Sequence, residues 1–189
     1  MKIQGDSELP SKEGFRPDME PCSLVRRFAA HLIASAQGHP IVDVACGQGR
    51  NAVFLSRQGC EVICIDRDLS GLRKLIENSH EPAALKLKLY EVDLERDPWP
   101  LDPNSVGGIV NTQYLLRSLF ALFKETVILG GLLLVETIPA HGGNYISLPK
   151  SGELRRMLED GFMFEYYAER KAGPGAYDAA TVKLLARKV

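Results

Sequence analysis

The sequence predicts an α/β fold with a mostly parallel seven-stranded sheet, helices on both faces and an antiparallel hairpin at the C-terminal end. Three observations predict it. Strand-like and helix-like runs alternate through the first three quarters of the chain. A glycine turn, Gly47-Gln48-Gly49, joins the apolar run Pro40-Ile41-Val42 to a helix, with the carboxylate of Asp43 just ahead of it. The last two apolar runs are joined by Lys171-Ala172-Gly173-Pro174-Gly175, with no convincing helix between them or after them.

The elements follow in order. Leu24, Val25, Phe28, Ala29, Leu32 and Ile33 recur at helical spacing and stop at Gln37-Gly38, which predicts a helix packed on the sheet or over its ligand edge. Strands are then expected at 41–45, 61–65, 85–92, 106–111 and 132–138, and helices at 51–58, 69–78 and 115–129. Strand-like runs at 162–169, rich in aromatics, and 181–186 supply the closing hairpin.

At 189 residues and 45% hydrophobic, the chain can build one sizeable core. A single domain is expected over 21–189, after a polar, Pro- and Gly-containing leader over 1–20 that reads as mobile. The balance of 23 basic and 24 acidic residues excludes any global electrostatic case for nucleic acid or an anionic membrane. Only a local basic patch, with Lys12, Arg16, Arg26 and Arg27 as its candidates, keeps an RNA partner open. The four cysteines, Cys22, Cys46, Cys60 and Cys64, form no C-x-x-C pair and no zinc spacing, so no metal or redox centre is expected. No apolar run is long enough to cross a bilayer, and the first 20 residues are too polar for a secretory signal, so a cytoplasmic location is expected. Oligomeric state leaves no trace in the sequence.

The turn at Asp43-Val44-Ala45-Cys46-Gly47-Gln48-Gly49-Arg50-Asn51 is laid out as a nucleotide-cofactor site. Its G-x-G-x-x-A pattern, with Asp66 about 20 residues on, also satisfies the dinucleotide fingerprint. The charge decides between the two. A pyrophosphate over this turn would be repelled by Asp43, whereas the ammonium and sulfonium of S-adenosylmethionine would be attracted. Asp43, Asp66 and Asp93 end three successive strands. Asp66 is placed to accept from ribose hydroxyls, its alternative being a helix cap that Asp68 or Ser70 fills better. Asp93 is placed to accept from the adenine amino group beside Leu94, its alternative being an ordinary loop acid. Asn111 ends the fourth strand, with Tyr114 and Arg117 following as substrate-facing or packing residues.

The chain resembles bacterial class I S-adenosylmethionine-dependent methyltransferases of the small group related to tellurite-resistance-type enzymes. The resemblance rests on the glycine turn, on Val62-Ile63-Cys64-Ile65-Asp66-Arg67-Asp68, Trp99-Pro100-Leu101, Tyr114-Leu115-Leu116-Arg117-Ser118-Leu119-Phe120 and Gly130-Gly131-Leu132-Leu133-Leu134-Val135-Glu136-Thr137. It implies a Rossmann-like fold and S-adenosylmethionine as cofactor, with S-adenosylhomocysteine as product. By this resemblance the binding positions are Asp43, Ala45, Cys46, Gly47, Gly49, Arg50 and Asn51 at the turn, Asp66 and Arg67 after the second strand, Asp93 and Leu94 after the third, and Asn111 under the sulfonium. Arg50 either pairs within the protein or meets the cofactor carboxylate. Two departures bear on the acceptor: Leu116 and Ser118 interrupt the relatives' Tyr-Leu-His/Trp-Arg-Pro-Leu pattern, and the loop Pro139–Pro149 is short.

Methyl transfer from a sulfonium releases a neutral leaving group, so orientation does most of the work and a general base is optional. The candidates for one are Tyr114, Glu136 and His141, each with a packing or solvated alternative. A small-molecule acceptor fits the neutral charge best. The other readings are an RNA or protein methyltransferase, a non-catalytic S-adenosylmethionine-binding protein, and an NAD-dependent oxidoreductase that Asp43 and the terminal hairpin disfavour.

Overall fold

The computed structural model describes residues 20–79, 82–140 and 144–189. The expected leader lies almost wholly outside them. Twelve helices and strands follow in chain order: α1 (Ser23–Ser35), β1 (Ile41–Val44), α2 (Arg50–Ser56), β2 (Val62–Asp66), α3 (Ser70–Glu77), β3 (Leu87–Glu91), β4 (Val106–Thr112), α4 (Leu119–Thr126), β5 (Val127–Glu136), α5 (Glu153–Leu158), β6 (Phe162–Ala172) and β7 (Ala179–Lys188).

The strands form one sheet in the order β3-β2-β1-β4-β5-β7-β6. β7 pairs antiparallel with both β5 and β6, and every other pairing is parallel. Strand order reverses between β1 and β4, and an open α/β sheet binds its ligand outside the carboxyl ends of the strands at such a switch.

Two apolar layers sandwich the sheet. Ile41, Cys64, Val110 and Leu134 pack with Leu32 of α1, Leu55 of α2 and Leu72 of α3. Their neighbours Val42, Ile65, Ile109 and Leu133 pack with Phe120 and Phe123 of α4 and Leu154 of α5. This alternation is the two-residue period of a strand covered on both sides. It also puts Asp43 on the face of Ile41, beneath α2. At the other end of the sheet the last turn of α1 lies directly on β4. A β-carbon at Gly107 would come within 2.3 Å of the Ala36 backbone, so only glycine permits this approach.

One expectation needs correction, and one helix was not foreseen. The helix expected at 115–129 is short, because residues 114–118 form an irregular turn and the chain goes extended at Val127 (φ −71°, ψ 136°). Thr126 ends the helix: its hydroxyl donates to the Leu122 carbonyl at 2.7 Å and accepts from Trp99 Nε1 at 2.9 Å. The β-branched Val127-Ile128 then enters β5, which runs on through Gly130 (φ +79°) and Gly131. The terminal region also contains a helix, α5, set between β5 and β6. Its six residues are too few to display a period, and only Leu154 and Leu158, four apart, reach the core.

Candidate functional site

A pocket of about 310 Å³ opens at the carboxyl ends of the strands around the switch point, lined by Ala45, Asp66, Arg67, Val92, Asp93, Leu94, Glu95 and Tyr114. Six of these eight were singled out from sequence; Val92 and Glu95 were not. The acid turn that begins at Asp93 is the signal that could have found Glu95.

The turn beneath the pocket is built from left-handed backbone. Ala45 (φ 51°), Gly47 (φ 54°) and Gly49 (φ 80°) all have positive φ. A side chain at Gly47 would meet nothing within 4 Å, which leaves that side of the turn open to a ligand, whereas one at Gly49 would come 2.5 Å from Leu72 Cδ1. Asp66 fixes the turn from the next strand: Gly47 N–H donates to Oδ2 at 2.7 Å and Asp68 N–H to Oδ1 at 3.1 Å. Asp68 in turn accepts from Ser70 N–H at 2.9 Å and serves the start of α3, as expected.

Asp93 shapes its own loop. Oδ1 accepts from Glu95 N–H at 3.0 Å, Arg96 lies 3.7 Å from Oδ2, and the Asp93 N–H donates to Asp97 Oδ2 at 2.9 Å. Leu94 sits in this turn with its side chain against the layer beneath α4. Glu95 stands at the rim of the pocket.

Asp43 is only 1% exposed. Its Oδ2 accepts from Ala52 N–H at 3.1 Å, and its Oδ1 has no partner among the described residues. Burial raises its pKa to about 7, against the lowering effects of that hydrogen bond, of Asn51 and of the nearby Arg50 charge. Cys46 is buried against Cys64, which with burial pushes its thiol up strongly.

Asn51 and Asn111 are both buried, and differ in what they do. Asn51 Oδ1 accepts from Cys22 N–H and its Nδ2 donates to Thr112 Oγ1, each at 2.9 Å, so it pins α1 and β4 to the turn. Asn111 lies between Val44 and Val135 in the register, and neither end of its amide has a partner among the described residues. Arg50 makes no ion pair among the described residues, so of its two expected roles the internal salt bridge is not formed.

The candidate bases separate. Burial, then Glu95 and Asp93, raise the Tyr114 phenol above its ordinary range. Glu136 stands outside the pocket lining, on the α1 side of β5. Its Oε2 accepts from the Cys22 thiol at 2.5 Å and its Oε1 pairs with the Lys183 ammonium at 2.7 Å, while burial and the carboxylate push Cys22 up to about 11. His141 lies outside the described residues. No group of three or more His, Cys, Asp or Glu among the described residues could hold a metal ion, and none of the described helices is long and apolar enough to cross a membrane.

Residues 41–126 match the family model described as a methyltransferase domain, somewhat under half of the chain. No curated protein matches significantly. Among solved structures, TehB from Haemophilus influenzae superposes with a TM-score of 0.63 at 22% identity, covering 94% of this chain and 63% of that one. The glycopeptide N-methyltransferase MtfA, complexed with S-adenosyl-L-homocysteine, gives 0.60 at 16% identity over 87% of this chain and 88% of that one. The [4+2]-cyclase SpnF gives 0.62 at 17% identity over 86% and 80%. At these identities the structures speak for the fold, and the family match speaks for the domain. Residues 41–126 thus resemble a methyltransferase domain, and the chain has the Rossmann-like fold of these structures.

Proposed function

We propose that this protein transfers a methyl group from S-adenosylmethionine to a small-molecule acceptor, with the cofactor held at the glycine turn and in the pocket beside it. One observation carries the reading: an unpartnered, buried carboxylate oxygen of Asp43 lies under a turn whose outer side is open at Gly47. A cation above that turn would satisfy it, whereas an anion would be repelled. The residues present fit the cofactor. Asp66, fixed by two backbone N–H groups, would hold the ribose. Asp93, Leu94 and Val92 would border the adenine, and Arg50, without an internal ion pair, would meet the carboxylate.

The cofactor supplies an electrophilic methyl group, and the chain's own residues supply position. The strand ends hold Asp66 and the glycine turn. Orientation of this kind is worth up to about 7–11 kcal/mol of the barrier. Glu136 stands outside the pocket lining and is already bound to Lys183 and Cys22, so it is not a free base.

The small-molecule acceptor is supported by the near-neutral charge and by the likeness in fold to MtfA, a glycopeptide N-methyltransferase. The basic residues that pointed to RNA are in part engaged internally: Arg26 pairs with Glu20, and Arg27 lies over the rings of Phe28 and Tyr166 on the α1 face. SpnF, named a cyclase, favours a second reading in which this fold serves chemistry other than methyl transfer.

Thermal unfolding with S-adenosylhomocysteine, S-adenosylmethionine and NAD in parallel tests the proposal. A ligand at a hundred times its Kd stabilises by about 2.7 kcal/mol, and a domain this size shifts roughly 2–4 °C per kcal/mol. A rise with both adenosyl-sulfur ligands, lost in Asp66→Ala, is expected, with turnover in an acceptor screen to follow. A rise with NAD alone refutes the site, and tight cofactor binding without methyl consumption across a broad acceptor panel favours the second reading.

A further inference from the structure

Three side chains outside the pocket lining tie the start of α1 to the cofactor turn. Cys22, the N-cap of α1, donates its backbone N–H to Asn51 Oδ1 at 2.9 Å and its thiol to Glu136 Oε2 at 2.5 Å. Asn51 lies in the first turn of α2, directly after the glycine turn, and its Nδ2 donates to Thr112 Oγ1 at 2.9 Å. Thr112 and Glu136 are register partners at the carboxyl ends of β4 and β5. The contacts therefore close into a ring: turn, β4, β5 and back to α1.

Asn51 is only 3% exposed, and both ends of its amide are used inside the protein. The same amide reaches the buried Asp43 carboxylate and favours its charged form. A cation over the turn would favour that form too, so a filled turn and the grip of Asn51 reinforce each other. The far end of α1 is fixed by other means. Its last turn lies on β4 at Gly107, and Arg187 Nη1 donates to Ser35 Oγ at 2.9 Å. Thirteen helical residues, about 20 Å, thus run from the amino edge of the sheet, where α1 is packed against backbone, to the carboxyl edge, where it is hydrogen-bonded to the turn.

We infer that Asn51 is a positioning residue that does not touch the cofactor, and that with Thr112 and Glu136 it forms a clamp on Cys22 through which a filled cofactor turn holds the start of α1 against the carboxyl edge. The clamp presupposes the cofactor site of the proposed function. Asn51 then acts on the cofactor through the turn, and Glu136, bound on its other side to Lys183, serves the same clamp.

Hydrogen exchange at the Cys22 amide, followed by NMR in the full chain, reads the clamp directly, because the acceptor of that amide is the Asn51 side chain and not a helix carbonyl. Saturating S-adenosylhomocysteine is expected to slow it by at least about tenfold. Asn51→Ala should lose that slowing and bind S-adenosylhomocysteine about 5- to 30-fold more weakly in calorimetry, and Thr112→Val about 3- to 10-fold more weakly. Added to Asn51→Ala, Glu136→Gln should weaken binding by less than it does alone, because both act on one helix start. Ser56→Ala is the structural control: Ser56 is similarly buried at the other end of α2, where its Oγ accepts from Lys86 N–H at 2.7 Å, and its loss should lower the melting temperature without moving either readout. A Cys22 amide unchanged by bound S-adenosylhomocysteine refutes the clamp, whether or not the variants fold, and so does an Asn51→Ala affinity within twofold of wild type. No binding of S-adenosylhomocysteine by the wild type refutes the cofactor site itself, and the clamp with it.

Discussion

The carboxyl edge of the sheet is built in two contrasting ways. Over β1 to β3 it is open, and its shape comes from backbone: three positive-φ residues within five positions, and acids that fix their own turns through N–H groups. Over β5 to β7 it is closed by side chains reaching across long sequence distances. Arg117 forms a two-pronged pair with Glu153, and its guanidinium reaches the Leu148 carbonyl. Glu169 gathers the Tyr167 hydroxyl at 2.5 Å, the Ser151 hydroxyl at 2.5 Å and the Gly152 N–H. The Tyr145 ring lies where a β-carbon at Gly173 would be, 5.8 Å from the Tyr177 ring. Local backbone geometry makes a preformed site for one fixed ligand, whereas long-range side-chain ties make a wall that can differ between relatives on the same sheet.

The sharpest way to break the first region is Gly49→Ala. It forces a β-carbon onto a φ of 80° and toward the Leu72 methyl at 2.5 Å, and should cost about 2–4 kcal/mol in denaturant unfolding. Next comes Asp66→Ala, which removes the acceptor for the Gly47 and Asp68 N–H groups as well as the expected ribose contact. S-adenosylhomocysteine affinity should fall about 100-fold in calorimetry.

Asp43→Asn separates stability from binding. With its pKa raised from 3.8 to about 7 by burial, Asp43 gives the ligand-free fold stability that is full below pH 3.8 and is lost as the pH rises through about 7. The asparagine variant should abolish that decline. At pH 8 it should be more stable without ligand by on the order of 1–3 kcal/mol, yet bind the cationic cofactor more weakly. A variant that is less stable at pH 8 and binds as well as wild type would show that the carboxylate has another role. The smallest effect is expected in the second region: Glu169→Gln leaves part of a hydrogen-bond cluster unmet and should cost about 1–2 kcal/mol in melting experiments, with cofactor Kd within twofold.

The same contrast explains what could be read from the sequence. Strand order aside, the parallel core, the turn and the closing hairpin announce themselves through local signals: apolar runs, Gly47 and Gly49, and acids at strand ends. Of the eight residues lining the pocket, Asp66, Asp93 and Leu94 follow from those signals, whereas Ala45 and Arg67 came through the family resemblance. The helical period of residues 115–123 was legible but its end was not, because Thr126 stops the helix through contacts with Leu122 and Trp99. Helix α5 is held by Leu154 and Leu158 in the core and by Arg117 and Glu169 from distant segments, none of which is visible locally. Glu136 was legible as a polar residue at a strand end, but its partners, Cys22 and Lys183, are 114 and 47 residues away in the chain.

The most direct test of the account is native-state hydrogen exchange with and without S-adenosylhomocysteine. The account predicts slowed exchange at the amides of Gly47, Gly49, Asp68 and Glu95, around the turn and the pocket, and little change at Gly152, Ala180 and Val182 on the side-chain-built wall. Protection confined to the β6 and β7 hairpin and the loop before α5, or no protection anywhere at saturating ligand, would contradict it.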